Sequence, residues 1–375
     1  MSGTSLDGLD IALCEIGGSG RDTTLSLLKF TTIPYPKEAA HKLAAISSVG
    51  TVSLEKVCLA NAWLGTYHAD LILDTLRRWN IEPDEVDCIA SHGQTIFHAP
   101  ASQHGLADMP NSTLQIGDGD HIARRTGIVT ISDFRQKHIA AGGEGAPLAG
   151  LVDELLFKDS RRNRVLLNIG GIANFTYLPA SDEQEWKTTD TGPGNTLINA
   201  VMQRFFNRPF DRDGEIASAG KVSTQLLRQL KSHPYFSEPI PKTTGPEVFN
   251  LDWVSGEQET SGTSGISPQD LAATLTMLSA ETIADCIKEV AGLPLPEIYL
   301  SGGGMHNKQM VAWISEKMEG HGLKSFEEIG FDPDAKEAVC FAVLANETLS
   351  GEGFLITTDE QPEQRANLGK ISLPA

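Results

Sequence analysis

The carboxylate of Asp190 stands in Thr189-Asp190-Thr191-Gly192-Pro193-Gly194-Asn195. Two glycines and a proline fix the backbone immediately after it. That suits a general base, which must sit within hydrogen-bond reach of the proton it takes. It also fits an N-cap for the amphipathic run 196–206 that follows. At the start of the chain, Gly3-Thr4-Ser5-Leu6-Asp7-Gly8 offers small residues, two hydroxyls and an acid. Such a loop can bring backbone N–H groups against phosphate oxygens, with Asp7 holding Mg²⁺ through water. A plain β-turn uses the same residue types. Two further glycine groups follow strands: Gly170-Gly171 after Val165–Ile169, and Gly302-Gly303-Gly304 after Glu297–Leu300. Either lets a ligand approach the backbone closely, and either could serve tight strand–helix packing instead.

Three other positions carry chemistry of a less specific kind. Arg135, in Ser132-Asp133-Phe134-Arg135, can clamp a carboxylate or phosphate with its planar fork. A salt bridge to Asp133 or Glu144 is the alternative. His92, in Ser91-His92-Gly93-Gln94-Thr95, reads equally as a structural hydrogen-bonder. Glu337 opens a helix, where its charge complements the helix dipole or joins a metal.

The elements that must position these groups alternate between β and α. Leu9–Ile16 and Leu25–Ile33 read as a hairpin entered from the first glycine loop, and 37–49 and 53–80 as helices. Val86–Ala90 and Ile128–Ile131 read as short strands, and 91–95 as a polar loop. The second half repeats strand, glycine turn, strand at 165–178. A long helix follows at 268–291, then a strand ending in the three glycines, and last a helix over 336–349. The expected class is α/β in two related halves, divided as 1–131 and 132–375, with the last helix able to pack back on the first.

Bulk properties exclude several functions. The chain has 375 residues, 40% apolar and 21% charged, with a net charge of −19. No basic stripe exists to neutralise nucleic-acid phosphates or an anionic membrane surface. The five cysteines (14, 58, 88, 286 and 340) are scattered without metal-ligand spacing and fit a reducing compartment. With no signal peptide or apolar span in view, the expected location is the cytoplasm.

The order of the motifs is more specific than any one of them: MSGTSLDG, SHGQT, LQIGDGD, SDFR, AAGGEGAPL, NIGGIAN, DTGPGN, KTTGPEVFN, SGGG and KEA. Over nearly its whole length the chain resembles the anhydro-N-acetylmuramic acid kinase family. The resemblance implies a two-domain actin/hexokinase-like (ribonuclease H-like) fold with a nucleotide cleft between domains, ATP and Mg²⁺ as cofactors, and a homodimer. It implies hydrolytic opening of 1,6-anhydro-N-acetylmuramic acid with phosphorylation of O6, giving N-acetylmuramic acid 6-phosphate during peptidoglycan recycling. Asp190 is then the base that activates water. Gly3, Thr4, Ser5, Leu6, Asp7, Gly8, Leu9 and Asp10 form the ATP-phosphate loop, with Asp7 and Glu337 linked to the metal. Gly170 and Gly171 form the second phosphate turn, and Gly302, Gly303 and Gly304 underlie adenosine. His92, Gln94, Asp118, Arg135 and Glu337 fall where the sugar should lie.

The sequence departs from the pattern in three places. The family carries a strand before the phosphate loop, whereas this sequence opens at the loop. The expected consequence is an exposed neighbouring strand and a looser loop. His138 and Glu144 replace the usual Asp and Gln, and Pro246 stands where Arg is common. Two alternatives follow: a kinase for another anhydrosugar such as levoglucosan, or a nucleotide-binding sensor of the same fold without turnover.

Overall fold

A computed structural model describes residues 1–3, 6–292, 294–356 and 364–374. Thr4 and Ser5, both expected to touch phosphate, lie outside the described residues. The chain forms two compact units, one of residues 1–156 with 335–375 and the other of 157–334.

The second unit is built on five strands: β1 (Arg164–Ile169), β2 (Ile172–Leu178), β3 (Lys187–Pro193), β4 (Glu297–Ser301) and β5 (Leu323–Ser325). Their order is β5-β4-β1-β2-β3, with β2 antiparallel to its neighbours and the other contacts along β4 parallel. This mixed sheet is the ribonuclease H-like arrangement. Alternation fixes its faces. Val165, Leu167, Ile169, Phe175 and Tyr177 point into one core with Leu271, Leu275, Leu278 and Ile283 of the helix Pro268–Ala291. That helix begins at Ser267, whose hydroxyl accepts from the Asp270 N–H, and stops at Gly292 with φ +62°.

In the first unit, Gly8–Gly17 and Thr24–Pro34 form the expected antiparallel hairpin. Thr130–Ser132 is the middle strand of a three-stranded sheet, parallel to Ile89–Ser91 and antiparallel to Lys370–Ser372. The helix Lys336–Ser350 places Phe341 against the His92 and Phe134 rings, with centroids 4.7 and 5.3 Å apart. The units therefore divide at 156/157 and 334/335 rather than at 131/132. Residues 130–132 are paired on both sides within the first unit, so the chain has not left it there.

Two local readings also change. Residues 91–95 are not a simple polar loop: Gln94–Ala99 pairs antiparallel with Ser112–Ile116, with a bulge between Thr95 and Phe97. The bulge interrupts the two-residue alternation by which a strand is recognised. Asp190 is no N-cap, since it lies inside β3 and the helix Thr196–Val201 is preceded by Asn195. No helix among the described residues is long and apolar enough to cross a membrane.

Candidate active site

In the second unit, Asp190 is held on three sides by the segment 235–244. Its N–H donates to the Lys242 carbonyl at 2.9 Å, and its carbonyl accepts from the Tyr235 hydroxyl at 2.9 Å. Its Oδ2 accepts from the Thr244 N–H at 2.9 Å. Lys242 is itself buried, its ammonium donating to the Tyr235 and Phe236 carbonyls at 3.0 and 3.3 Å. The second carboxylate oxygen, Oδ1, has no hydrogen-bond partner among the described residues. Burial raises the carboxyl to about 6, opposed by the Thr244 hydrogen bond. The result is a fixed, half-buried carboxylate that is ionised at neutral pH, basic for its type, and open at one oxygen.

The turn Gly170-Gly171 is knit to the segment after Asp190. Gly194 N–H donates to the Gly171 carbonyl at 2.8 Å, and Asn195 N–H to the Gly170 carbonyl at 2.9 Å. A side chain at Gly194 would place its Cβ 2.5 Å from the Gly170 oxygen. The two motifs thus form one backbone structure. The three glycines after β4 divide in role. Gly302 (φ +79°) and Gly304 are pressed against Asn168 and Ile169 of β1, where no Cβ fits. Gly303 is exposed, with open space where its Cβ would be. Packing accounts for the first and third glycines, and only Gly303 presents free backbone.

In the first unit, the fork of Arg135 is positioned by neutral partners. Its Nε donates to His92 Nε2 at 3.0 Å and its Nη1 to the Gly145 carbonyl at 2.8 Å. Neither Asp133 nor Glu144 pairs with it; Asp133 pairs with Lys370. Nη2 has no partner among the described residues. His92 is 4% exposed. Its Nδ1 lies 3.2 and 3.0 Å from the Ser2 and Gly93 carbonyls, which places the proton there and leaves Nε2 to accept. Burial, then the Arg135 charge, pushes its pKa down to about 3, so the ring is neutral. Gln94 is fully buried, accepting from the Ser2 hydroxyl at 2.5 Å and donating to the Gly3 carbonyl at 3.0 Å. Tyr35 completes this network between Ser2 and His68. His92 and Gln94 therefore touch the start of the glycine loop and Arg135, and neither presents an open polar group.

Within the loop, Leu6 takes a left-handed φ of +57°, and Gly8 lies against the Ile33 carbonyl, which leaves no room for a Cβ. Leu9 is buried in the hairpin core. Asp10 accepts from the Thr32 hydroxyl at 2.6 Å, and Asp7 is exposed. Glu337 keeps its side chain open to solvent in the first turn of its helix. The surrounding chain, then the Asp10 charge, raises its pKa, with Arg135 opposing. Asp10 and Glu337 are thus electrostatic neighbours, a pairing that their sequence separation hides. No cluster of three or more His, Cys, Asp or Glu metal ligands occurs among the described residues. Two oxygens of one sign, without a complete cage, fit Mg²⁺, which keeps waters and binds jointly to substrate phosphates. Asp118 caps the helix Gly119–Thr126, accepting from the Asp120 N–H at 2.9 Å.

Sequence reading missed Tyr235, Lys242 and Thr244 as the support of Asp190. The signal was present in the KTTGPEVFN segment, where only Pro246 drew attention. Of the residues that depart from pattern, His138 accepts from the Gly145 N–H at 2.9 Å, thereby fixing the carbonyl that holds Arg135. Glu144 is exposed.

The family model for anhydro-N-acetylmuramic acid kinase matches residues 1–369. A protein named anhydro-N-acetylmuramic acid kinase from Pseudoalteromonas atlantica is 48% identical over 379 aligned residues, covering 100% of this chain and 94% of that protein. One of the same name from Caldanaerobacter subterraneus is 38% identical, covering 100% and 96%. Among solved structures, the activator of the 2-hydroxyisocaproyl-CoA dehydratase from Clostridium difficile, with bound ADPNP, aligns at a TM-score of 0.39. Its identity is 10%, over 90% of this chain and 94% of that one.

Proposed function

Because this chain belongs to the anhydro-N-acetylmuramic acid kinase family, we propose that Asp190 is the general base of its reaction. The chain is a kinase of 1,6-anhydro-N-acetylmuramic acid and acts in peptidoglycan recycling. The bridged sugar has no free 6-hydroxyl for an ordinary kinase base to deprotonate. Asp190 instead takes a proton from water as the water oxygen bonds to C1. The C1–O6 bond breaks with its electron pair on O6, and O6 receives the γ-phosphoryl group of ATP, releasing ADP. The observation that carries this reading is the geometry of Asp190: one oxygen tied to the Thr244 N–H, the other free, and a carboxyl raised to about 6. A base of that strength is ionised near neutrality and still accepts a proton readily.

The remaining assignments follow the same logic. Residues 3–10 cradle the phosphates, with Gln94 holding the loop through Ser2 and Gly3. Asp7 and Glu337, with Asp10 as the electrostatic neighbour of Glu337, would hold Mg²⁺, which would supply charge neutralisation to the transferring phosphoryl group. Arg135, aligned by His92, pairs with the lactyl carboxylate of the sugar through its free Nη2. The Gly170-Gly171 turn serves the phosphates and Gly303 the adenosine. Asp118 orders the neighbouring sugar-facing turn. The working form is a cytoplasmic homodimer.

Mass spectrometry of the product tests the coupling. The expected product is heavier than the substrate by one water and one phosphoryl group. A product that gained phosphate without water would contradict a reaction begun at C1.

A further inference from the structure

Asparagine is a poor strand residue, because its carboxamide competes for backbone groups and contributes little to a packed face. Yet the segment Asn168–Asn174 places one on each side of the Gly170-Gly171 turn, Asn168 in β1 and Asn174 in β2. The register puts both on one row across the sheet: Asp190 pairs with Asn174, Asn174 with Asn168, and Asn168 with Ser301. Paired residues share a face, with Cβ atoms roughly 4.5–5.5 Å apart. This face is opposite to the one carrying Leu167, Ile169 and Phe175, so the row is set against the helix-packed core rather than within it. Both asparagines are half-buried. Neither carboxamide has a hydrogen-bond partner among the described residues, although Ser301 at the row's end bonds the Leu167 carbonyl at 3.4 Å. In particular, Asn174 does not bond to Asp190, despite being its cross-strand neighbour.

We propose that Asn174 is a second catalytic residue, which holds the attacking water together with Asp190. The inference rests on Asp190 being the base. A water that donates one hydrogen to Asp190 Oδ1 needs its other hydrogen fixed if its lone pair is to face C1. The Asn174 carbonyl oxygen is the neutral acceptor next to Asp190 in the row. In the step, the O–H bond facing Asp190 breaks and the proton passes to the carboxylate. The O–H bond facing Asn174 stays intact and keeps the nucleophile oriented. Neutrality matters here, since a second carboxylate would compete for the proton and repel Asp190.

The test compares Asn174→Leu, Asn174→Ala and Asp190→Asn in full-length protein. The assay is steady-state ADP release from Mg·ATP with 1,6-anhydro-N-acetylmuramic acid. Both Asn174 variants should lose about ten- to a hundredfold in kcat, as removal of one transition-state hydrogen bond predicts. Their KM values for ATP and sugar should stay within about twofold, because the water belongs to neither ligand. Thermal unfolding midpoints close to wild type separate this loss from misfolding, and the alanine variant guards against a steric effect of leucine. Near-normal kcat in both Asn174 variants, with Asp190→Asn inactive, overturns the Asn174 role alone. A raised sugar KM with unchanged kcat also overturns it. Near-normal turnover in Asp190→Asn overturns the base itself, and with it the shared water.

Discussion

Asp190→Asn should make the protein more stable while disabling it. The carboxyl is raised from 3.8 to about 6 because burial penalises its charge. Each pKa unit corresponds to about 1.4 kcal/mol, so the full shift represents about 3 kcal/mol of strain in the ionised form. Asp190 is only half-buried and solvent screens part of this, which leaves about 1–2 kcal/mol. Asparagine retains an oxygen for the Thr244 N–H and carries no charge, so it removes the strain and keeps the hydrogen bond. The pH dependence gives the sign. The folded pKa lies above the unfolded one, so the wild type is favoured below about 4 and loses stability as pH rises through about 6. The variant's advantage should therefore be small near pH 4, grow through pH 5–6 and level off above 7. A few degrees in the unfolding midpoint is the expected size. Parallel thermal scans at pH 5 and pH 8, alongside activity, measure it. Turnover should fall by about 10²–10⁴-fold. A variant destabilised equally at both pH values would refute the reasoning, because Asp190 would then be a structural anchor rather than a strained base.

Other perturbations separate packing from binding. Gly304→Ala should cost about 1–3 kcal/mol, because the new methyl meets Ile169, whereas Gly303→Ala should leave the unfolding midpoint unchanged. Differential scanning calorimetry distinguishes them. His92→Phe should leave the Arg135 Nε donor unpaired, raising the sugar KM and costing about 1–3 kcal/mol of stability. Steady-state kinetics with sugar varied at saturating ATP reads the first effect. Gln94→Leu removes both ties to Ser2 and Gly3 and should raise the KM for ATP more than that for sugar. The activity profile of the wild type should rise with pH around 6 as Asp190 ionises.

Much of this was legible in sequence where local pattern and tertiary demand agree. Helix 268–291 combines a Ser-Pro start with a Gly stop, and the structure has Pro268–Ala291. The hairpin of Gly8–Gly17 and Thr24–Pro34 follows from alternation. Long-range pairing was not legible. Nothing near Thr130–Ser132 announces that its partner is Lys370–Ser372, so the unit boundary was misplaced. The glycines of 302–304 read alike, yet two are required by Ile169 and Asn168 and one is open. Asp190 stands out in sequence by its glycine–proline frame, but its support from Tyr235, Lys242 and Thr244 depends on a later segment folding back. The asparagines of 168–174 gained meaning only from register, which aligns them with Asp190.

The most direct test is ADP release from Mg·ATP by wild type and Asp190→Asn, with 1,6-anhydro-N-acetylmuramic acid, with levoglucosan, and with no sugar. Release by wild type that depends on the muramic sugar and collapses in Asp190→Asn is the predicted result. Release that is independent of sugar, equal with levoglucosan, or undiminished in Asp190→Asn would contradict the account.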